Sequence, residues 1–79
     1  MTTVGKFLKL DDMSYIAMDS IYAIVPLPAV DDIKDRVVIR YRHCDHAHDS
    51  IQYCDSLQQA KDVAEEIANG IANHKETSA

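Results

Sequence analysis

An α+β fold, an antiparallel β-meander of four to five short strands packed by one C-terminal α-helix, is what this 79-residue sequence predicts. Three features carry that expectation: a helical stripe over residues 56–73, a period of two over residues 36–42, and short apolar segments separated by Asp-containing turns over residues 6–25. In the helix, Leu57, Ala60, Val63, Ala64, Ile67 and Ile71 recur at three- and four-residue steps, and Gln58, Asp62, Glu65, Glu66 and Asn69 fill the other side. Such a stripe is built to be covered along one face.

Taken in order, residues 6–10 form the first strand, with Leu8 and Leu10 on one face, Lys9 on the other, and Asp11–Asp12 as the turn that ends it. Residues 14–18 alternate Ile16 and Met18 against Tyr15 and Ala17, a β-branched and aromatic content that favours a strand. Asp19–Ser20 turns the chain into residues 21–25, apolar nearly throughout and therefore central or covered on both faces. Pro26 and Pro28 end that strand, because neither can donate to a ladder. After a polar connection over residues 29–35, the segment RVVIRYR at 36–42 places Val37, Ile39 and Tyr41 on one face and Arg36, Val38, Arg40 and Arg42 on the other. A histidine-rich tip, residues 43–49, reads as a long loop into a fifth strand over 50–54, with Ile51 and Tyr53 on the core side. Ser56 is the expected helix N-cap, with Gln59 completing a capping box; Asp55 and Gln58 give the same signal one residue earlier. Gly70 either sits inside the helix, at about 1 kcal/mol relative to alanine, or ends it. Residues 1–74 are thus expected to form one domain and residues 75–79, with nothing to bury, a flexible tail.

These segments, FLKL at 7–10, Asp19-x-Ile21-x-x-Ile24, VVIRY at 37–41, and Ile51-x-Tyr53 leading into a capped helix, resemble small bacterial and phage proteins such as the flagellar FlbD group. In that group a short meander precedes one C-terminal helix. The resemblance spans most of the chain and implies the same fold. It carries over no functional residue, and the histidine-rich tip lies outside its pattern.

A chain of this length buries only about 60% of its unfolded surface, so disulfides, a metal or oligomerisation usually supplement the core. Cys44 and Cys54 allow one internal bridge at most, and Thr2, Thr3, Gly5 and Lys6 interrupt any apolar run of the signal-peptide kind. A cytoplasmic location with reduced thiols is therefore expected. The longest apolar run, residues 21–30, holds two prolines and is too short to span a bilayer, so no membrane partner is expected. A net charge of −5 argues against general nucleic-acid binding, yet all three arginines fall within residues 36–42.

Four features bear on function. The tip holds His43, Cys44, His46 and His48, good ligand types for zinc, but their spacing departs from paired Cys-x2-4-Cys or His-x3-5-His elements. That departure favours a solvated hairpin end with two incidental thiols over a zinc site, and no other cofactor is implied. Asp11–Asp12 and Asp31–Asp32 sit where turns are expected, and with Gly5 and Gly70 as the only glycines there is no phosphate-cradling loop. The chain is accordingly not expected to be an enzyme. Arg36, Arg40 and Arg42, with Lys34 nearby, line one side of an extended strand. They suit either a charged solvent face or a docking strip for an acidic protein or a nucleotide-like phosphorylated ligand. Finally, Tyr15, Ile21, Tyr22, Ile24, Leu27 and Val38 cannot all face a single helix. An apolar patch left open on so small a protein predicts a homo-oligomer. The leading expectation is a non-enzymatic interaction protein that binds and regulates or inhibits another protein, a type frequent among phage-encoded inhibitors of host systems; the alternatives are an oligomeric nucleotide-like ligand binder and a metal-binding protein.

Overall fold

The structure is a computed structural model that describes residues 2–10 and 12–78, the side chains of residues 75–78 excepted. It has the α+β class, as six strands in two sheets with one helix: β1 (Thr2–Val4), β2 (Phe7–Lys9), β3 (Tyr15–Ala17), β4 (Ile21–Leu27), β5 (Arg36–His43), β6 (His46–Tyr53) and α1 (Leu57–Ser78). Sheet order is β1-β2-β3 and β4-β5-β6, antiparallel throughout. One core joins them. Leu8 and Ile16 of the first sheet, with Leu10 and Met18 just beyond its strands, meet Val37 and Ile39 of β5 and Ala60 and Ile67 of α1.

The first sheet differs from expectation by one strand. Thr2–Val4 pairs with Phe7–Lys9 through the turn Gly5–Lys6, where Gly5 takes a φ of 59°. Glycine first in a two-residue hairpin loop matches the twist of the strands it joins. After β2, the Oδ1 of Asp12 accepts the Ser14 N–H at 3.0 Å, which holds the Asp12 carboxyl below its ordinary pKa. Turn chemistry thus accounts for Asp12; Asp11 lies outside the described residues. A single 3-10 turn, Met18–Ser20, then carries the chain from one sheet to the other, with the Ser20 hydroxyl donating to the Ala17 carbonyl at 2.6 Å.

The second sheet corrects three boundaries. Pro26 does not end β4, which runs to Leu27, because Pro26 pairs with Val37 on the outer edge of the sheet. The tip is not a long loop: Cys44 and Asp45, with φ of 53° and 65°, make a two-residue turn, and the fifth strand expected over 50–54 is β6, starting at His46. Positive φ at both central residues is the type I′ geometry that continues strand twist. Consequently Ile51 lies opposite Val38 and Tyr53 opposite Arg36, on the face away from the core, where they are 45% and 62% exposed.

This register also fixes which backbone groups are bonded. The tight turn makes His43 and His46 a hydrogen-bonded pair, and the Cys54 N–H donates to the Asp35 carbonyl at 2.8 Å in the same phase. Even-numbered residues of β6 therefore bond β5, and Ala47, Asp49, Ile51 and Tyr53 turn their backbone groups outward. On the opposite side, Arg36, Val38 and Arg40 bond β4, so the nitrogen of Pro26, which has no proton to give, faces away from β5.

The helix starts as the sequence predicts. The Ser56 hydroxyl accepts the Gln59 N–H at 3.1 Å, and Gln59 Oε1 accepts the Asp55 N–H, one residue beyond the usual capping-box partner, at 2.6 Å. Its end does not coincide with residue 73: α1 continues to Ser78, and Gly70 is interior. A Cβ on Gly70 would come within 3.0 Å of the Thr3 side chain, so glycine admits β1 against the helix. The flexible tail expected over 75–79 falls on side chains outside those described. The helix covers the inner face of β4 and β5, while β5 is the one element against which β6 packs extensively.

Candidate interaction surface

The alternation in β5 positions the surface. Val37 and Ile39 are fully buried beneath the helix, so Arg36, Val38, Arg40 and Arg42 lie on the opposite, outer face, as the sequence predicts. Cross-strand pairing sets beside them Ala23, Val25 and Leu27 of β4 and Ala47, Asp49, Ile51 and Tyr53 of β6. A register shift between Ile21 and Ala23 adds Tyr22, whose ring lies 5.2 Å from the Arg42 guanidinium. Val38, although on the outer face, is only 7% exposed because its cross-strand neighbours Val25 and Ile51 shoulder it on both sides.

The face is thus an apolar centre between cationic ends. Arg36 donates to the carbonyls of Pro28 and Lys34, both at 3.4 Å, and Arg40 lies 3.6 Å from Asp49. Lys34 is set off the face, 3.9 Å from Asp55. The Arg40–Asp49 pair is half exposed on both sides, a setting in which ion pairs contribute about 0–1 kcal/mol and are easily exchanged for another partner. Three arginines against Asp49 give this face a positive balance on a chain of net charge −5.

Sequence reading named Tyr22 among the apolar residues in excess of one helix face but missed Ile51 and Tyr53 as members of this surface. The signal lay in the turn: once Cys44–Asp45 closes the hairpin, counting back from it puts Ile51 and Tyr53 among the arginines.

The histidine tip is brought together differently. Tyr41 and His48 stack at 5.5 Å between ring centroids, and His43 lies 6.3 Å from His48 at a tilt of 56°. Cys44 is exposed on the turn, Cys54 is buried, and no disulfide joins them. Among the described residues no group of three or more His, Cys, Asp or Glu side chains is placed to hold a metal ion. His43, Cys44, His46 and His48 are therefore neighbours on the hairpin without forming a ligand set.

Of the concavities beside the core, two bear on anion binding. One, of about 460 Å³ between α1 and β1, carries Asp62, Glu65 and Glu66, the wrong sign for a phosphate. The other, of about 270 Å³ between the sheets, includes Tyr15, Tyr41, Arg42 and His43, and falls just below the range of about 300–1,000 Å³ usual for small-molecule sites. Neither gathers the arginines into an enclosed anion site. No helix of the described residues is long and apolar enough to cross a membrane. Comparison with protein-family models, curated proteins and solved structures gives no match, so the reading rests on the residues themselves.

Proposed function

We propose that this is a non-enzymatic interaction protein that regulates or inhibits another protein by docking it on the outer face of β4-β5-β6. One observation carries the reading: among the described residues no helix or strand packs extensively over the outer-face apolar centre, Val25, Leu27, Val38 and Ile51, which is flanked by Arg36, Arg40 and Arg42. Sheets with one apolar face against a core normally present a polar face to solvent, so an outer face of this composition favours a partner. Its charge selects an acidic one, since arginine pairs with carboxylates in two-pronged fashion.

Affinity capture from the native host followed by binding of the purified candidate tests this. The partner is expected to be lost by Arg40→Glu/Arg42→Glu and retained by Glu65→Lys/Glu66→Lys on the far side of the helix. Equal capture by both variants would remove the outer face from the reading. A nucleotide-like ligand predicts instead a thermal shift with nucleotides that Arg42→Glu abolishes.

A further inference from the structure

The two edges of the second sheet are not alike. The β4 edge is interrupted by the register shift at Tyr22, presents Pro26 in place of a donor, and lies under the helix. These are the devices by which sheets avoid pairing with other chains. β6 has none of them: eight residues, His46–Tyr53, without proline, glycine, lysine or bulge. Its outward backbone groups belong to Ala47, Asp49, Ile51 and Tyr53. Among the described residues their one intrachain contact is the Gln52 side-chain amide donating to the Ile51 carbonyl at 3.2 Å.

We infer that a second copy of this chain occupies that edge, β6 against β6 in antiparallel fashion about a two-fold axis at Ser50, making one six-stranded sheet. Outward groups on both strands belong to odd-numbered residues, so only registers pairing odd with odd form bonds. Centring the axis on Asp49 would place two carboxylates directly opposite each other, a destabilising arrangement. Centring it on Ile51 shortens the overlap and drives the partner strand toward the turn into α1.

The axis at Ser50 uses the whole strand. It sets Asp49 opposite Ile51 of the partner and Ala47 opposite Tyr53 of the partner, small against large. Across the inner face, Ser50 meets its own copy and His48 meets Gln52 of the partner, both pairs able to hydrogen-bond. Four hydrogen-bonded pairs result, each with two backbone bonds, about eight in all. Arg36, Arg40 and Arg42 lie on the sheet's face, not its edge, so this pairing does not depend on what the outer face docks.

Light scattering during size exclusion at tens of micromolar should give twice the 8.9 kDa chain mass. Ile51→Lys should halve that mass. Ile51→Pro should do the same, because it removes an outward N–H and leaves the β5 ladder whole, as Pro26 does on β4. Both variants should keep the far-ultraviolet circular dichroism of the parent chain. In a Cys44→Ser background, Ser50→Cys should oxidise to a covalent dimer, since residues facing across the axis form a close, non-bonded pair, whereas Asp49→Cys should not. A parent chain of single mass, or a dimer whose mass neither folded Ile51 variant changes, overturns the proposal. Should Ile51→Pro fail to fold, Ile51→Lys and the cysteine pair decide alone, and cross-linking through Asp49→Cys but not Ser50→Cys overturns the register.

Discussion

Replacing Ile39 by alanine tests whether a single core holds the two sheets and the helix together. Ile39 is 0% exposed, in the central strand of its sheet and in the cluster shared with Leu8, Met18 and Ile67. Alanine removes three carbons, worth about 0.8 kcal/mol each in transfer, and leaves a cavity that the surrounding strands fill only in part, for a total of about 2–5 kcal/mol. A domain of 79 residues has roughly 4–12 kcal/mol to lose at about 0.05–0.15 kcal/mol per residue. The melting temperature should therefore fall by about 8 °C or more, at about 4–8 °C per kcal/mol. Ile33 is the matched control: the same side chain, 47% exposed, in a two-residue turn held by backbone bonds between Val30 and Ile33. Ile33→Ala should cost about 1 kcal/mol or less, and Ile39→Val about 0.5–1.5 kcal/mol. Urea denaturation followed at 222 nm, at one fixed low protein concentration, gives all three values. Equal losses for Ile33→Ala and Ile39→Ala, or less than about 1 kcal/mol for the latter, would refute the shared core.

Three further outcomes are expected. Converting the turn Cys44–Asp45 to Asn-Gly puts into left-handed backbone the two residue types that adopt it at least cost and should raise stability by about 1 kcal/mol, seen as a higher melting temperature. Ser56→Ala removes the hydroxyl that accepts the Gln59 N–H and should cost about 1 kcal/mol in urea denaturation, with Ser56→Asp restoring most of it. Asp12 has a folded pKa depressed by the Ser14 N–H, so its stabilising contribution is present above the unfolded pKa and lost as pH falls through the lowered folded value. Asp12→Asn should flatten that acid limb, and a carboxyl titration by nuclear magnetic resonance should place Asp12 below the ordinary aspartate value.

The parts of this fold that were legible in sequence are those where one periodicity met one face. Arg36–Arg42 alternates because Val37 and Ile39 are buried and the arginines are not, and the α1 stripe is unambiguous because only one side of the helix is covered. Thr2–Val4 was illegible as a strand because all three residues are exposed, leaving no alternation to find; Gly5–Lys6 was the better clue. Pro26 misled because a proline stops a central strand but is tolerated on an edge, and strand position is a tertiary fact. The histidine tip misled because Cys-Asp lacks the Asn-Gly composition of a type I′ turn and the histidines read as loop. That error moved Ile51 and Tyr53 to the wrong face, and with them most of the apolar centre of the candidate surface.

The same register that exposes Ile51 and Tyr53 also leaves β6, among the described residues, with a neighbouring strand on one side only. In so short a chain, where the core is thin, an eight-residue strand bonded to one hairpin partner is held chiefly by that ladder and by the few side chains it places against β5. Solvent protects the unpaired groups from a desolvation cost, so the edge is tolerable in the monomer, but it competes poorly with a second strand that satisfies the same groups and adds cross-strand packing. The proline and the register shift sit on β4, which also packs against the helix, and not on β6, against which only β5 packs extensively among the described residues. A chain guarded against sheet extension on its covered side and open on its bare side can extend in one direction only, and the proposed β6 pairing would close as a two-fold pair with no further β6 edge to recruit a third copy.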